Sequence, residues 1–257
     1  MTYIKKIALL ANSIYVSAYS YYKVSESGLG SSIKLDADER EFFLKLRPLL
    51  EGENLVIYDI GAARGIVSSC LAKLPNVSSI HAFEPLPDFF EQLKIRMKHF
   101  NKVNCHHVAL GNEEGIFPMY VNNWVTNSSF LPTSNYFKKQ ISDIDKINHT
   151  IDIQMSCLDN YVEKNQLPIP NLIKIDVQGF EKKVIEGGIN TVRNSKYCFI
   201  EMSFQTLYEN SALFDEIYRF MCDLGFRLIG VSNPMISKYG VPLQVDGIFE
   251  NLEVNAK

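Results

Sequence analysis

The sequence predicts an α/β protein: a mainly parallel sheet with helices on both faces. Two observations carry that expectation. Strand-like apolar runs alternate with helical stretches along most of the chain. Four of those runs end on or beside an acidic residue, at Asp59, Glu84, Asp176 and Glu201, where ligands bind in open parallel sheets. With 257 residues, the chain has enough length to bury one large core and carry a small appendage.

Residues 1–35 read as an N-terminal helical extension and linker, and residues 36–257 as the main domain. Ile4, Ile7, Ala8, Ala11, Ile14, Ala18 and Tyr22 recur at helical spacing. Lys5 and Lys6 give the stretch a superficial likeness to a signal peptide. Asn12, Ser13 and Ser17 interrupt it, leaving it too short and polar to span a bilayer. The expectation is an amphipathic helix packed on the body or on a partner, and a homodimer through it stays open. "SESGLGSS" (Ser25–Ser32) is the linker. Asp36 then caps "ADEREFFLKLRPLL", whose acids precede its basic residues as the helix dipole favours.

Beyond it, strand "NLVIYDI" leads to helical "GIVSSCLAKL", and "VSSIHAF" leads to helical "PDFFEQLKIRMKHF". "VNCHHVAL" reads as a third strand. "NLIKIDV" precedes helical "GFEKKVIEGG", and "KYCFIEMS" precedes "QTLYENSALFDEIYRFMCDLG". The closing strands, "FRLIGVS" and "PLQVDGIF", lie close in sequence and fit an antiparallel edge. Val121–Thr150 reads as one long irregular piece. Loops of such length are functional or disordered. Trp124, Asn127, Tyr136 and neighbouring hydroxyls suit an acceptor-binding surface, and a loop with its aromatics tucked against the core is the plainer alternative.

Composition narrows the function classes. A net charge of −3 offers no global field for nucleic acid. Five scattered cysteines without a CxxC fit a reduced, cytoplasmic chain. His106 and His107 are adjacent, so on a strand they face opposite ways and do not share a metal. Asp176 and Glu201 lack a fixed third oxygen ligand, so no metal is expected.

The segment "IYDIGAARGIVSS" (Ile57–Ser69) places Asp59 before a turn containing Gly61, Ala62, Ala63 and Gly65. The glycines admit close backbone approach to a ligand. The pattern D-x-G-x-x-x-G differs from the dinucleotide fingerprint. Glu84, followed by Pro85, ends the second strand where an acid binds ribose hydroxyls. Asp59 suits a positively charged group. A ligand with a ribose, an amine and a carboxylate satisfies these positions, as S-adenosylmethionine does. Asp176 then either accepts a proton from an acceptor hydroxyl or orients the acceptor or the donor's amine. Lys174 lies on the same strand face and suits either neutralisation of a carboxylate or catalysis. Glu201 suits a hydrogen bond to the acceptor. Glu181 opens a helix, where the dipole favours an acid regardless of function.

"YDIGAARGIVS", "HAFEP", "VALGNEEG", "CLDNYV", "LIKIDVQGFEKKVIEGG" and "IEMS" together resemble the FkbM-type S-adenosylmethionine-dependent methyltransferases, over Leu55–Phe249. The resemblance implies the class I methyltransferase fold, a seven-stranded sheet with one antiparallel edge strand. It also implies O-methylation of a saccharide, glycoconjugate or natural product. It assigns the donor loop to Asp59, Gly61 and Gly65, the ribose acid to Glu84, and adenine contacts to Ala109 and Leu110. Ser128 and Ser129 resemble a small polar pair near donor or acceptor. Ala63 stands where the family usually has Asn. Two other readings remain: a cofactor-binding module without catalysis, and a nicotinamide-dependent oxidoreductase, which the turn's missing middle glycine disfavours.

Overall fold

The computed structural model describes residues 50, 54–122, 128–140, 147–232 and 234–254. The N-terminal extension, the helix read after Asp36, Trp124 and Asn127 lie outside the described residues. By its contacts the chain divides into Met1–Glu51 and Gly52–Lys257, and the fold below is that of the second unit.

Its centre is β1 (Leu55–Ile60), buried over nearly its whole length. A strand with parallel neighbours and layers on both faces must be apolar throughout, as "LVIYDI" nearly is. It pairs in parallel with β2 (Val77–Phe83) on one side and β7 (Leu172–Ile175) on the other. From there β3 (Val103–His106) extends the sheet beyond β2, and β8 (Tyr197–Ser203) beyond β7. β11 (Pro242–Asn251) runs antiparallel to β8, and both β9 (Phe226–Val231) and the short β10 (Met235–Ile236) pair with its outer side. The order β3-β2-β1-β7-β8-β11 reverses between β1 and β7. Consecutive strands diverge there, which opens a crevice at their carboxyl ends. This is the class I methyltransferase arrangement, with its antiparallel strand beside the edge.

Helices cover the sheet. They are α1 (Ile66–Leu71), α2 (Pro87–Met97), α4 (Leu158–Lys164), α5 (Glu181–Glu186), α6 (Ile189–Arg193) and α7 (Phe214–Asp223), with α3 (Asn135–Gln140) in the long connection. The largest core cluster joins Tyr58, Ile173, Ile175 and Ile200 to Val184, Ile217 and Phe249.

Two sequence expectations are corrected. "VNCHHVAL" is not one strand: β3 stops at His106, and β4 (Ala109–Gly111) belongs to a second sheet of order β4-β6-β5. The break is tertiary. Glu84 N–H donates to the His106 carbonyl at 3.0 Å, and the His107 ring bonds the Pro85 carbonyl at 3.0 Å, drawing the chain around the end of β2. Nor is the stretch from Val121 to Thr150 wholly irregular. β5 (Gly115–Asn122) runs into it, α3 lies inside it, and β6 (Ile147–Cys157) begins within it. Pro118 disguises β5, and is tolerated because β5 is an edge strand of its sheet, whose far side makes an isolated bridge at Tyr120 and Ser129.

Candidate active site

A cavity of about 330 Å³ opens at the reversal of strand order, within the range usual for small-molecule sites. Its two ends are built differently.

One end is the turn after β1. Gly61 has φ +77°, and a Cβ there would lie 1.9 Å from the backbone oxygen of Asp176. Only glycine fits so close to the neighbouring strand end. Ala63 is left-handed at φ 46°, a conformation that Asn accommodates better than alanine. Its N–H donates to Glu84 Oε2 at 2.8 Å, while Leu86 N–H donates to Glu84 Oε1 at 2.8 Å. Glu84 is buried and lines the cavity. Burial pushes its carboxyl up to about 7, against the pull of those two N–H groups. Pro85, Ala109 and Leu110 line the same end, with Leu86 and Phe89 as further apolar wall. Ala109 and Leu110 reach it from the second sheet.

The other end is made by Asp176, Gln178, Glu201 and Gln244. Register explains the grouping. Ile175 pairs with Ile200, which brings Asp176, just past the end of β7, beside Glu201 on β8, and Asp246 on β11 lies opposite Glu201. Asp176 Oδ1 accepts from Gln178 Nε2 at 2.9 Å, and the same nitrogen donates to Glu201 Oε2 at 3.1 Å. Gln244 Nε2 donates to Glu201 Oε1, and the Tyr208 hydroxyl donates to Gln178 Oε1 at 2.7 Å. Burial, with Asp176, Glu181 and Asp246 close by, raises the Glu201 carboxyl well above its ordinary range. Burial likewise lifts the Tyr208 hydroxyl.

Behind the wall lies Lys174, paired in register with Asp59. Its Nζ is 3.3 Å from Asp59 Oδ1 and 3.4 Å from Asp176 Oδ2. Burial alone would lower its ammonium, but the two carboxylates outweigh burial and raise it above the ordinary lysine value.

The structure therefore gathers Gly61, Ala63, Glu84, Pro85, Ala109, Leu110, Ser128, Asp176 and Glu201 around one cavity, and moves other expected residues away from it. Asp59 is fully buried and accepts from Ser68 Oγ at 2.6 Å, so it faces α1 and Lys174 rather than a ligand's amine. Lys174 is buried behind Asp176 and supports that carboxylate without touching the cavity. Ala62 packs against Leu93 and Met97, and the Leu93 side chain also closes on Gly65.

Ser129 is a strut: its hydroxyl donates to the Gln178 carbonyl at 2.7 Å. Glu181 Oε1 accepts from the Val177 and Gly179 N–H groups at 3.0 and 3.1 Å, so it fastens the loop after β7. On α3 the cavity wall is Phe137, not Tyr136. Sequence reasoning passed over Gln178, Tyr208 and Gln244. Gln178 stood two residues past Asp176, inside the quoted "IKIDVQGFE", and that proximity was the available signal. Among the described residues no group of three or more His, Cys, Asp or Glu side chains is arranged to hold a metal ion.

The fold and this cavity fit a methyltransferase. A profile of the FkbM methyltransferase domain matches residues 59–228, and the chain belongs to that family. The 2-O-methyltransferase NoeI of Sinorhizobium fredii is 26% identical over 168 residues, covering 63% of this chain and 68% of NoeI. The hexuronic acid methyltransferase AglP of Haloferax volcanii is 24% identical over 219 residues, covering 79% of this chain and 84% of AglP. Among solved structures, a precorrin-6y C5,15-methyltransferase from Geobacter metallireducens aligns with a TM-score of 0.45 and 17% identity, over 86% of this chain and 91% of that one. Among the described residues no helix is long and apolar enough to cross a membrane.

Proposed function

We propose that the protein transfers a methyl group from S-adenosylmethionine to a hydroxyl of a saccharide or glycoconjugate. The observation that carries this reading is the placement of Glu84 and Asp176 at two ends of one cavity. Each Glu84 oxygen already accepts one backbone N–H, and a carboxylate oxygen has a second lone pair to offer. Glu84 therefore suits a pair of ribose hydroxyls. Ala109, Leu110, Leu86 and Phe89 suit a flat base, and the bare Gly61 backbone suits close approach.

When bound, the donor supplies an electrophilic methyl on a sulfonium. Asp176 orients the acceptor hydroxyl and accepts its proton at Oδ1 or Oδ2. Such a base contributes about 10²–10⁴-fold, and alignment of the acceptor adds up to ~7–11 kcal/mol in well-oriented cases. Lys174 pairs with Asp176 Oδ2 from behind. Ser128 borders the acceptor's path. The relatives NoeI and AglP, by name a 2-O-methyltransferase and a hexuronic acid methyltransferase, support a sugar as the acceptor.

Two measurements test this. Isothermal titration with S-adenosylhomocysteine should show saturable binding to the full chain. Labelled methyl transfer to a panel of mono- and oligosaccharides should then give an alkali-stable ether. No binding, or labelling of protein or RNA alone, would count against the reading.

A further inference from the structure

We propose that Gln178 is a positioning residue, whose one carboxamide holds the Asp176 and Glu201 carboxyl groups side by side and aims Asp176 into the cavity. The inference rests on the reading of Asp176 as the group that handles the acceptor hydroxyl.

A primary amide nitrogen carries two hydrogens. At Gln178 both are committed, one to Asp176 Oδ1 at 2.9 Å and one to Glu201 Oε2 at 3.1 Å. The orientation of the amide is fixed by chemistry as well as distance. Its oxygen is the atom that accepts from the Tyr208 hydroxyl at 2.7 Å, and reversing it would set a carbonyl oxygen against two acids. Tyr208 is in turn fixed by Gly179, where a Cβ would come within 2.8 Å of its ring.

The backbone also marks Gln178 as unusual. Its φ is +58°, left-handed geometry that glycine adopts without cost and glutamine does not. Three contacts impose it: Ser129 Oγ on the Gln178 carbonyl, and Glu181 Oε1 on the Val177 and Gly179 N–H groups. Strained backbone persists where the surroundings over-determine it, and gathers at functional sites. The side chain contributes what glycine would lack, a neutral double donor between two acids. A glutamate of the same length would add a third carboxylate instead of a donor pair. Lys174 holds the other Asp176 oxygen, so the Asp176 carboxylate is gripped from two sides.

The test uses two variants of the full chain, Gln178→Gly and Gln178→Glu. Turnover, S-adenosylhomocysteine affinity and melting temperature are measured, together with a crystal structure of each variant bound to S-adenosylhomocysteine. Gln178→Gly relieves the left-handed backbone at φ +58° but leaves Glu201 and the Tyr208 hydroxyl without the amide, so it should stay folded with a modestly lower melting temperature. Its affinity should be unchanged, yet turnover should fall about 10²-fold, the cost of a displaced reacting group. Gln178→Glu should show the same split of lost turnover and kept affinity, which keeps the test intact if the glycine variant folds poorly. In both crystals Asp176 should leave its wild-type place. Wild-type turnover in either folded variant, or an Asp176 that keeps its place without the amide, overturns the inference. A wild-type chain that methylates no saccharide would instead overturn the functional reading, and the crystal comparison would still decide the role of Gln178.

Discussion

The two ends of the cavity hold buried acids by different means. Glu84 is gripped by backbone, the N–H groups of Ala63 and Leu86. Glu201 is gripped by side chains, the carboxamides of Gln178 and Gln244. Backbone donors depend on chain path and survive most substitutions, whereas side-chain donors vanish with a single one. On the reading proposed above, the Glu84 end serves the methyl donor. On the same reading, the Asp176–Glu201 end serves the acceptor.

Separate losses at the two ends give the largest expected effects. Asp176→Asn should lower turnover by about 10²–10⁴-fold while leaving S-adenosylhomocysteine affinity unchanged in a calorimetric titration. Glu84→Ala should do the reverse. It weakens that affinity by about 10–100-fold, the loss of hydrogen bonds to a charged group, and any surviving turnover at saturating donor should be near wild type. Equal losses of both quantities in both variants would erase the distinction between the ends.

Next in size is Gly61→Ala. A methyl at 1.9 Å from the Asp176 backbone oxygen, at φ +77°, should cost about 3 kcal/mol or more in chemical denaturation.

A smaller effect lies in the pH dependence. Burial raises Glu84 to about 7 from an ordinary value of 4.5, and raises Glu201 well above that value. Each acid keeps its proton in the fold where the unfolded chain has lost it. Its contribution to stability is therefore complete below about pH 4.5 and declines as pH rises through the folded value. The melting temperature should fall between pH 5 and 8. Glu84→Gln should lessen that fall up to about pH 7, and Glu201→Gln should lessen it across the whole range.

The smallest effect concerns Ala63 at φ 46°. Ala63→Asn should raise stability by a few tenths to about 1 kcal/mol in chemical denaturation.

The strand-end acids were legible because each closes an apolar run, and a parallel strand buried on both faces has to be written that way. Which face such an acid presents was not legible. Asp59 ends β1 as plainly as Glu84 follows β2, yet pairing with Lys174 across β7 turns it away from the cavity. The second sheet was hidden for tertiary reasons. Nothing local in "VNCHHVAL" marks the break that His107 and Pro85 enforce. The sequence reading names Tyr136 and not Phe137 because α3 is not visible in it, and without a helix phase adjacent residues cannot be told apart. Gln178 escaped notice because left-handed backbone is invisible in a residue other than glycine.

Gly61 carries one more implication. Its α-carbon rests against the main chain at Asp176 with no side chain between them, so on the proposed reading the donor and acceptor loops meet backbone to backbone. Any motion that parts those loops would first have to break this backbone contact.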